Sequence, residues 1–191
     1  MAHTPQVVVK NVIDLLGGRE AAFAHFDDEF RYISERWSQD TDAIGRILRC
    51  HLFVEHFLTA FLVQRNPELG SVSDARLSFA QKVTLIGQAS AGIAYLIPGI
   101  RRLNTIRNRM AHTLAADITT DDINIFLGIT LFKAMREARA KPNSASTVPV
   151  DILEDFAKHA GTCLQASVSL VADLWEKAMA DGEPDAEPAT E

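Results

Sequence analysis

Residues 100–114 read Ile-Arg-Arg-Leu-Asn-Thr-Ile-Arg-Asn-Arg-Met-Ala-His-Thr-Leu. The apolar residues recur at intervals of three and four, so a helix turning about 100° per residue places them on one side. They are Ile100, Leu103, Ile106, Met110 and Leu114. A polar stripe on nearly the opposite side contains Arg101, Asn104, Asn108 and His112. The segment therefore predicts an amphipathic helix whose polar face is a candidate functional site.

The same three-and-four periodicity runs through most of the chain, and no convincing segment alternates with a period of two. This pattern predicts an all-α fold, a helical bundle of about six or seven helices. The predicted helices cover residues 6–16, 19–37, 42–65, 77–89, 94–112, 121–140 and 151–180.

Breaker residues and composition divide the 191-residue chain. We expect accessory helices in residues 1–37, a helical core in 38–140, an exposed loop in 141–149 and a last helix in 150–180. Residues 181–191 contain five acidic residues, two prolines and no large apolar side chain, which predicts a disordered acidic tail. A hydrophobic content of 47% supports one core of ordinary size.

The net charge of −6 is unevenly distributed. Residues 101–112 carry four basic and no acidic residues, whereas residues 141–191 carry three basic and ten acidic ones. Such a chain is unsuited to coating DNA non-specifically, but its local basic cluster still permits an anionic partner.

Several classes of protein are not expected. The chain shows no signal peptide and no membrane-spanning segment, and its two cysteines, Cys50 and Cys163, fall in helical runs as reduced core thiols. A cytoplasmic protein with no membrane partner is therefore predicted. The absence of a phosphate-binding glycine loop, a nucleophile elbow and zinc-ligand spacing predicts no cofactor and no metal.

Two charged residues fall on apolar helix faces. Arg107 projects about 40° from the centre of the apolar stripe of its helix, and Glu55 projects close to the stripe formed by Ile44, Leu48, Leu58 and Leu62. Because an unpaired buried charge is costly, we expect Glu55 and Arg107 to pair across two packed helices. The pair has two interpretations: a purely structural ion pair, or one that also orients Arg107 for chemistry.

The motif Arg107-Asn108-Arg109-Met110-Ala111-His112 resembles the signature of the HEPN superfamily, in which an arginine and a polar residue precede a histidine. The longer segment 103–112 looks like the form seen in mannitol-repressor-like and phage-defence members. Two further elements look like that branch, namely Leu52-Phe53-Val54-Glu55 and Ser78-Phe79-Ala80-Gln81-Lys82. The resemblance covers about residues 46–136 and makes residues 38–140 a HEPN-like core.

The resemblance implies a bundle that dimerises and, in active members, a metal-independent endoribonuclease. Arg107 and His112 would be catalytic, with Asn108 orienting the imidazole or the phosphate and Glu55 in a supporting role. The RNA backbone would be held by Arg101, Arg102, Asn104, Arg109 and Lys82. Arg107 and His112 project about 140° apart on one ideal helix. Either the helix ends near His112, or Arg107 reaches round it, or the two groups come from different chains.

Plainer interpretations stand beside these. His112 is also a typical C-terminal helix cap, and Lys82 is typical of a solvated surface lysine. His51 and His56 are expected on the helix surface or in the core, and eight phenylalanines at helical spacings are expected in the core: residues 23, 26, 30, 53, 57, 61, 126 and 132.

Three functions remain: a HEPN-type ribonuclease in a toxin or phage-defence setting, a non-catalytic regulator that resembles mannitol repressors, and a helical interaction module. The expected partners are RNA, a second copy of the chain, and an antitoxin or regulatory protein.

Overall fold

A computed structural model describes residues 4–68, 74–86, 92–114, 117–169 and 174. Over these residues the protein is all-α, as predicted, and no strand occurs in them. The elements are α1 (Pro5–Leu15), α2 (Arg19–Trp37), α3 (Thr41–Arg65), α4 (Phe79–Ile86), a 3₁₀ turn (Ala94–Leu96), α5 (Ile97–His112), α6 (Thr120–Leu127), α7 (Thr130–Ala140) and α8 (Pro149–Ala166).

Four predicted helices differ from the observed ones by more than one residue. The helix predicted over residues 77–89 begins at Phe79, and residues 87–89 lie outside the described residues. The first three residues of the helix predicted over 94–112 form the 3₁₀ turn. The helix predicted over residues 121–140 is split into α6 and α7, because Gly128 caps α6 and Ile129 adopts an extended conformation before α7 begins. Of the helix predicted over residues 151–180, residues 170–173 and 175–180 lie outside the described residues and residue 174 is helical; the described helix α8 ends at Ala166. Here the Ser167 hydroxyl donates to the Leu164 carbonyl at 2.8 Å, a local bond that competes with helix continuation. The predicted acidic tail lies outside the described residues.

The chain divides into two compact units, residues 1–41 and residues 42–191. The first unit contains α1 and α2, and Ala22 is its one buried hydrophobic residue among those described. Phe23, Phe26 and Phe30 were expected in the core but are 53%, 43% and 71% exposed. Phe53 is also exposed, at 39%. Periodicity identified the apolar faces of these helices correctly but could not show whether anything covers them.

The core of the second unit is formed mainly by α3, α5 and α8. Its most buried members include Val54 and Leu58 on α3, Leu103 on α5 and Phe156 on α8. Gly99 lies at a close approach of α5 and α8, where an added Cβ would be 2.3 Å from Cζ of Phe156. This packing fixes α5, the helix that carries the predicted motif, against the core.

Within residues 19–65, which contain α2 and α3, one window is long and apolar enough to cross a membrane by length and composition. The core helix of a soluble protein meets the same criteria of length and composition.

Both cysteines are free thiols, and burial raises the pKa of the Cys50 thiol to about 11.

Candidate functional site

Helix α5 ends at His112. This is one of the three arrangements that would let Arg107 and His112 act on the same phosphate. The last described turn of α5 exposes Asn108 and His112, while Arg107 is half-buried. The Arg107 guanidinium turns toward Asn108, and Nη1 donates to Asn108 Oδ1 at 3.2 Å. Asn108 is four residues before His112, so this contact brings the cationic group toward the stripe that carries the histidine.

The predicted ion pair between Glu55 and Arg107 is wrong: none joins them within the described part of the chain. Instead, Lys82 Nζ on α4 lies 2.8 Å from Glu55 Oε1. The core face of α3 is centred on Ile47, Val54 and Leu58, so Glu55 lies about 80° away at its edge rather than within it. Its side chain retains 27% exposure.

Lys82 is not the solvated surface lysine that its residue type favours. Its side chain is 13% exposed, and its ammonium is paired with Glu55. Lys82 therefore links α4 to α3.

His51 is the main polar residue of this region that the sequence analysis left without a role. It is 6% exposed, its Nε2 donates to Asn104 Oδ1 at 3.1 Å, and its ring stacks on Phe79 at 4.2 Å between centroids. His51 Nδ1 is buried without a hydrogen-bond partner, 3.9 Å from Glu55 Oε2. The spacing of Ile47, His51 and Val54 was the available signal that this histidine faces the core.

Burial lowers the pKa of His51, and the positive charges of Arg107 and Lys82 lower it further. The hydrogen bond that His51 donates to Asn104 and the charge of Glu55 act in the opposite direction but do not outweigh burial. His51 is therefore a neutral group that holds Asn104 in place.

Two of the predicted RNA-binding arginines have another partner. Asp122 at the start of α6 is fully buried; its Oδ1 lies 3.2 Å from Arg102 Nη1, and its Oδ2 accepts a short hydrogen bond from Arg109 Nη2. Asp122 also completes a capping box with Thr119, whose backbone N–H donates to it at 2.8 Å. The sequence analysis did not predict a charge partner for Asp122.

The structure thus divides the predicted residues into three groups. Asn104 lies in one group with the Glu55–Lys82 pair, through His51, while Arg107 and Asn108 contact each other on α5. Arg102 and Arg109 lie on the α6 side with Asp122, leaving Arg101 exposed on α5 without an ion pair among the described residues.

The described residues contain no group of three or more His, Cys, Asp or Glu side chains that could hold a metal ion. Comparison of the chain with family models, with curated proteins and with solved structures gives no match.

Proposed function

We propose that the protein is a metal-independent endoribonuclease of the kind that its Arg-Asn-x-x-Ala-His motif resembles. The observation that carries the proposal is the Arg107–Asn108 hydrogen bond at 3.2 Å. It turns the guanidinium round α5, toward the face where His112 is exposed. Within the described residues Arg107 has no carboxylate partner, so its charge is free for a phosphate.

The proposed reaction is attack of a ribose 2′-oxygen on the adjacent phosphorus. His112 accepts the 2′-hydroxyl proton as the new oxygen–phosphorus bond forms, and Arg107 stabilises the negative charge of the phosphorane. The bond to the 5′-oxygen then breaks, and that oxygen takes a proton from imidazolium or water. Asn108 Oδ1 accepts from Arg107, which leaves the Asn108 amide N–H groups to orient the phosphate or the imidazole.

His51, Glu55 and Lys82 have a positioning role in this proposal. His51 holds Asn104, while the Glu55–Lys82 pair ties α3 to α4 beside it. Exposed Arg101 is the remaining candidate for contact with the RNA backbone.

We also propose a homodimer, and an antitoxin or regulatory protein as the partner of a toxin or phage-defence enzyme of this type. The observation that favours self-association is the apolar surface of α2, where Phe30 is 71% and Trp37 88% exposed. The same surface favours the helical interaction module as the second candidate function.

The enzymatic proposal is tested by incubating purified protein with single-stranded RNA in EDTA. Wild-type protein should leave 2′,3′-cyclic phosphate ends, and His112→Ala should lower the cleavage rate by about 10²- to 10⁴-fold with RNA affinity nearly unchanged. The matched control is His56→Ala, which removes another exposed histidine and should cleave like the wild type.

Arg107→Gln should lower the rate with little loss of stability, because Glu55 is balanced by Lys82 instead. A wild-type protein that cuts no RNA, or a His112→Ala variant that cuts equally well, would leave the non-catalytic regulator or the interaction module as the function.

A further inference from the structure

A cavity of about 360 Å³ lies between α7, α8 and the loop that joins them. Its lining includes Phe132, Met135, Arg136, Arg139, Lys158 and His159. None of its lining residues belongs to the candidate ribonuclease site, so the cavity requires a separate explanation. Its volume falls in the range of small-molecule sites.

The cavity wall is held in place by a network of hydrogen bonds. Arg136 Nε lies 2.8 Å from Asp155 Oδ2, and its Nη2 donates to the Ser146 carbonyl at 2.5 Å. The Ser146 hydroxyl in turn donates to Asp151 Oδ2 at 2.6 Å. These bonds fix the joining loop to α8, so the cavity is formed before any ligand arrives.

The charge in the cavity is unbalanced. Asp155 is the one carboxylate among the lining residues, and it is already paired with Arg136. Arg139 and Lys158 also line the cavity, and neither forms an ion pair with any described residue. Two cations from two helices therefore line one space in a chain whose net charge is −6. Lys158 also borders a neighbouring pocket, beside Arg49 and Glu154.

The uncharged residues of the lining suit the uncharged part of a small-molecule ligand. Phe132 and Met135 provide an apolar wall, while Asn143 and Ser144 add polar side chains at the rim. His159 is 4% exposed, and Tyr95 Oη lies 3.2 Å from its Nε2. Burial lowers the pKa of His159, and the charge of Arg139 lowers it further, so the imidazole is neutral beside the cations.

We propose that this cavity binds a phosphomonoester that carries a compact apolar or aromatic body. A phosphate with several acceptor oxygens matches the two unpaired cations and the amide and hydroxyl donors of the rim. The body would lie against Phe132 and Met135, where its removal from water adds to the affinity.

Isothermal titration of the full chain with phenyl phosphate tests the proposal, with inorganic phosphate and phenol as partial ligands. Phenyl phosphate should bind more tightly than either partial ligand. Arg139→Gln and Lys158→Gln should each weaken its binding about 10-fold, the usual effect of losing one hydrogen bond to a charged group. Both side chains are exposed, so the variants should fold like the wild type.

The matched control is Lys133→Gln, an exposed lysine on α7 outside the cavity lining, which should bind phenyl phosphate like the wild type. The proposal is overturned if phenyl phosphate does not bind at millimolar concentration, or if Lys133→Gln weakens binding as much as Arg139→Gln. RNA cleavage by Arg139→Gln should equal that of the wild type, which separates this site from the proposed function.

Discussion

Asp122 has no exposed surface, and its carboxylate accepts hydrogen bonds from Arg102, Arg109 and the Thr119 backbone N–H. Burial tends to raise the pKa of Asp122, but the hydrogen bonds from Arg109 and Thr119 outweigh burial and lower it. Removing the carboxylate would leave two arginines without their counter-charge and α6 without its capping box. We expect Asp122→Ala to lower the free energy of unfolding by about 3–5 kcal/mol in urea titrations.

Asp121→Ala is the control for this variant, because Asp121 is the exposed neighbour in the same helix turn. It should cost only about 0.3–1 kcal/mol through the helix dipole. Equal effects of the two substitutions would show that the buried network is not a main source of stability.

His51 and His159 make stability depend on pH near neutrality. Both are buried, and both have a lowered pKa, chiefly through burial. Since the unfolded histidines bind protons more readily, their contribution is complete above about pH 7 and falls as the pH drops below about 6.5. Each should add up to about 1.4 kcal/mol per pH unit to the slope of unfolding free energy against pH.

Urea titrations at several pH values between 5 and 8 measure this slope. His51→Gln should reduce it, whereas His56→Gln, which replaces an exposed histidine, should leave it unchanged. A wild-type slope near zero over this interval would contradict the neutral state of both buried residues.

The sequence analysis missed the contacts that depend on how separate helices pack together. The helical wheel of α5 placed Arg107 on the apolar face, although its side chain is only half-buried in the structure. It could not show that α4 would supply Lys82 to Glu55, because that contact joins residues 27 positions apart. Asp122 was missed as a charge partner for a similar reason, since its pairing with Arg102 depends on how α6 returns against α5.

Agreement at the helix boundaries did not depend on side-chain caps. The bounds of α2 agree with the prediction although its N-cap residue, Gly18, makes no side-chain cap hydrogen bond. Helix α4 begins at Phe79, two residues after the predicted start, and the Ser78 backbone N–H before it donates to Gln81 Oε1 at 2.8 Å. The break between α6 and α7 was missed because Gly128 and Ile129 do not disturb the apolar periodicity. That break allows Phe126 and Phe132 both to pack near Phe156.

Helix α2 carries an apolar seam with the alternating three-and-four spacing of a coiled coil. The seam residues, all 43–88% exposed, are Phe23, Phe26, Phe30, Ile33 and Trp37. In a parallel pairing of two copies, Glu29 would face Ser34 of the other helix. In the antiparallel pairing that sets Phe26 opposite Phe30, Asp27 and Glu29 would each face a like charge near the centre of the seam, so the parallel dimer is favoured over that arrangement.

Light scattering at micromolar concentration should therefore give the mass of a dimer. Phe26→Glu with Phe30→Glu should give a monomer, because four carboxylates would enter one apolar seam. Val63→Glu changes an apolar residue of similar exposure on α3 and should remain dimeric. A monomeric wild type would contradict the interface.

The separation of charge along the chain gives a further expectation for RNA binding. Residues 181–191 carry five acidic and no basic residues, so their removal changes the net charge from −6 to −1. If the tail competes with phosphate for Arg101 and Arg107, the competition is a screened attraction between exposed charges and should weaken with salt. Truncation after Ala180 should then tighten RNA binding about 5- to 10-fold at low salt and much less at 0.3 M salt.

Fluorescence anisotropy with labelled RNA measures this effect, using His112→Ala protein so that the RNA stays intact. A full-length chain with the five acidic residues changed to Asn or Gln is the matched control and should reproduce the truncation. Thermal unfolding should be the same for all three proteins, because the tail contains no large apolar residue that could add to a core. If the truncated and full-length proteins bind equally at low salt, the tail does not compete for the basic residues of α5.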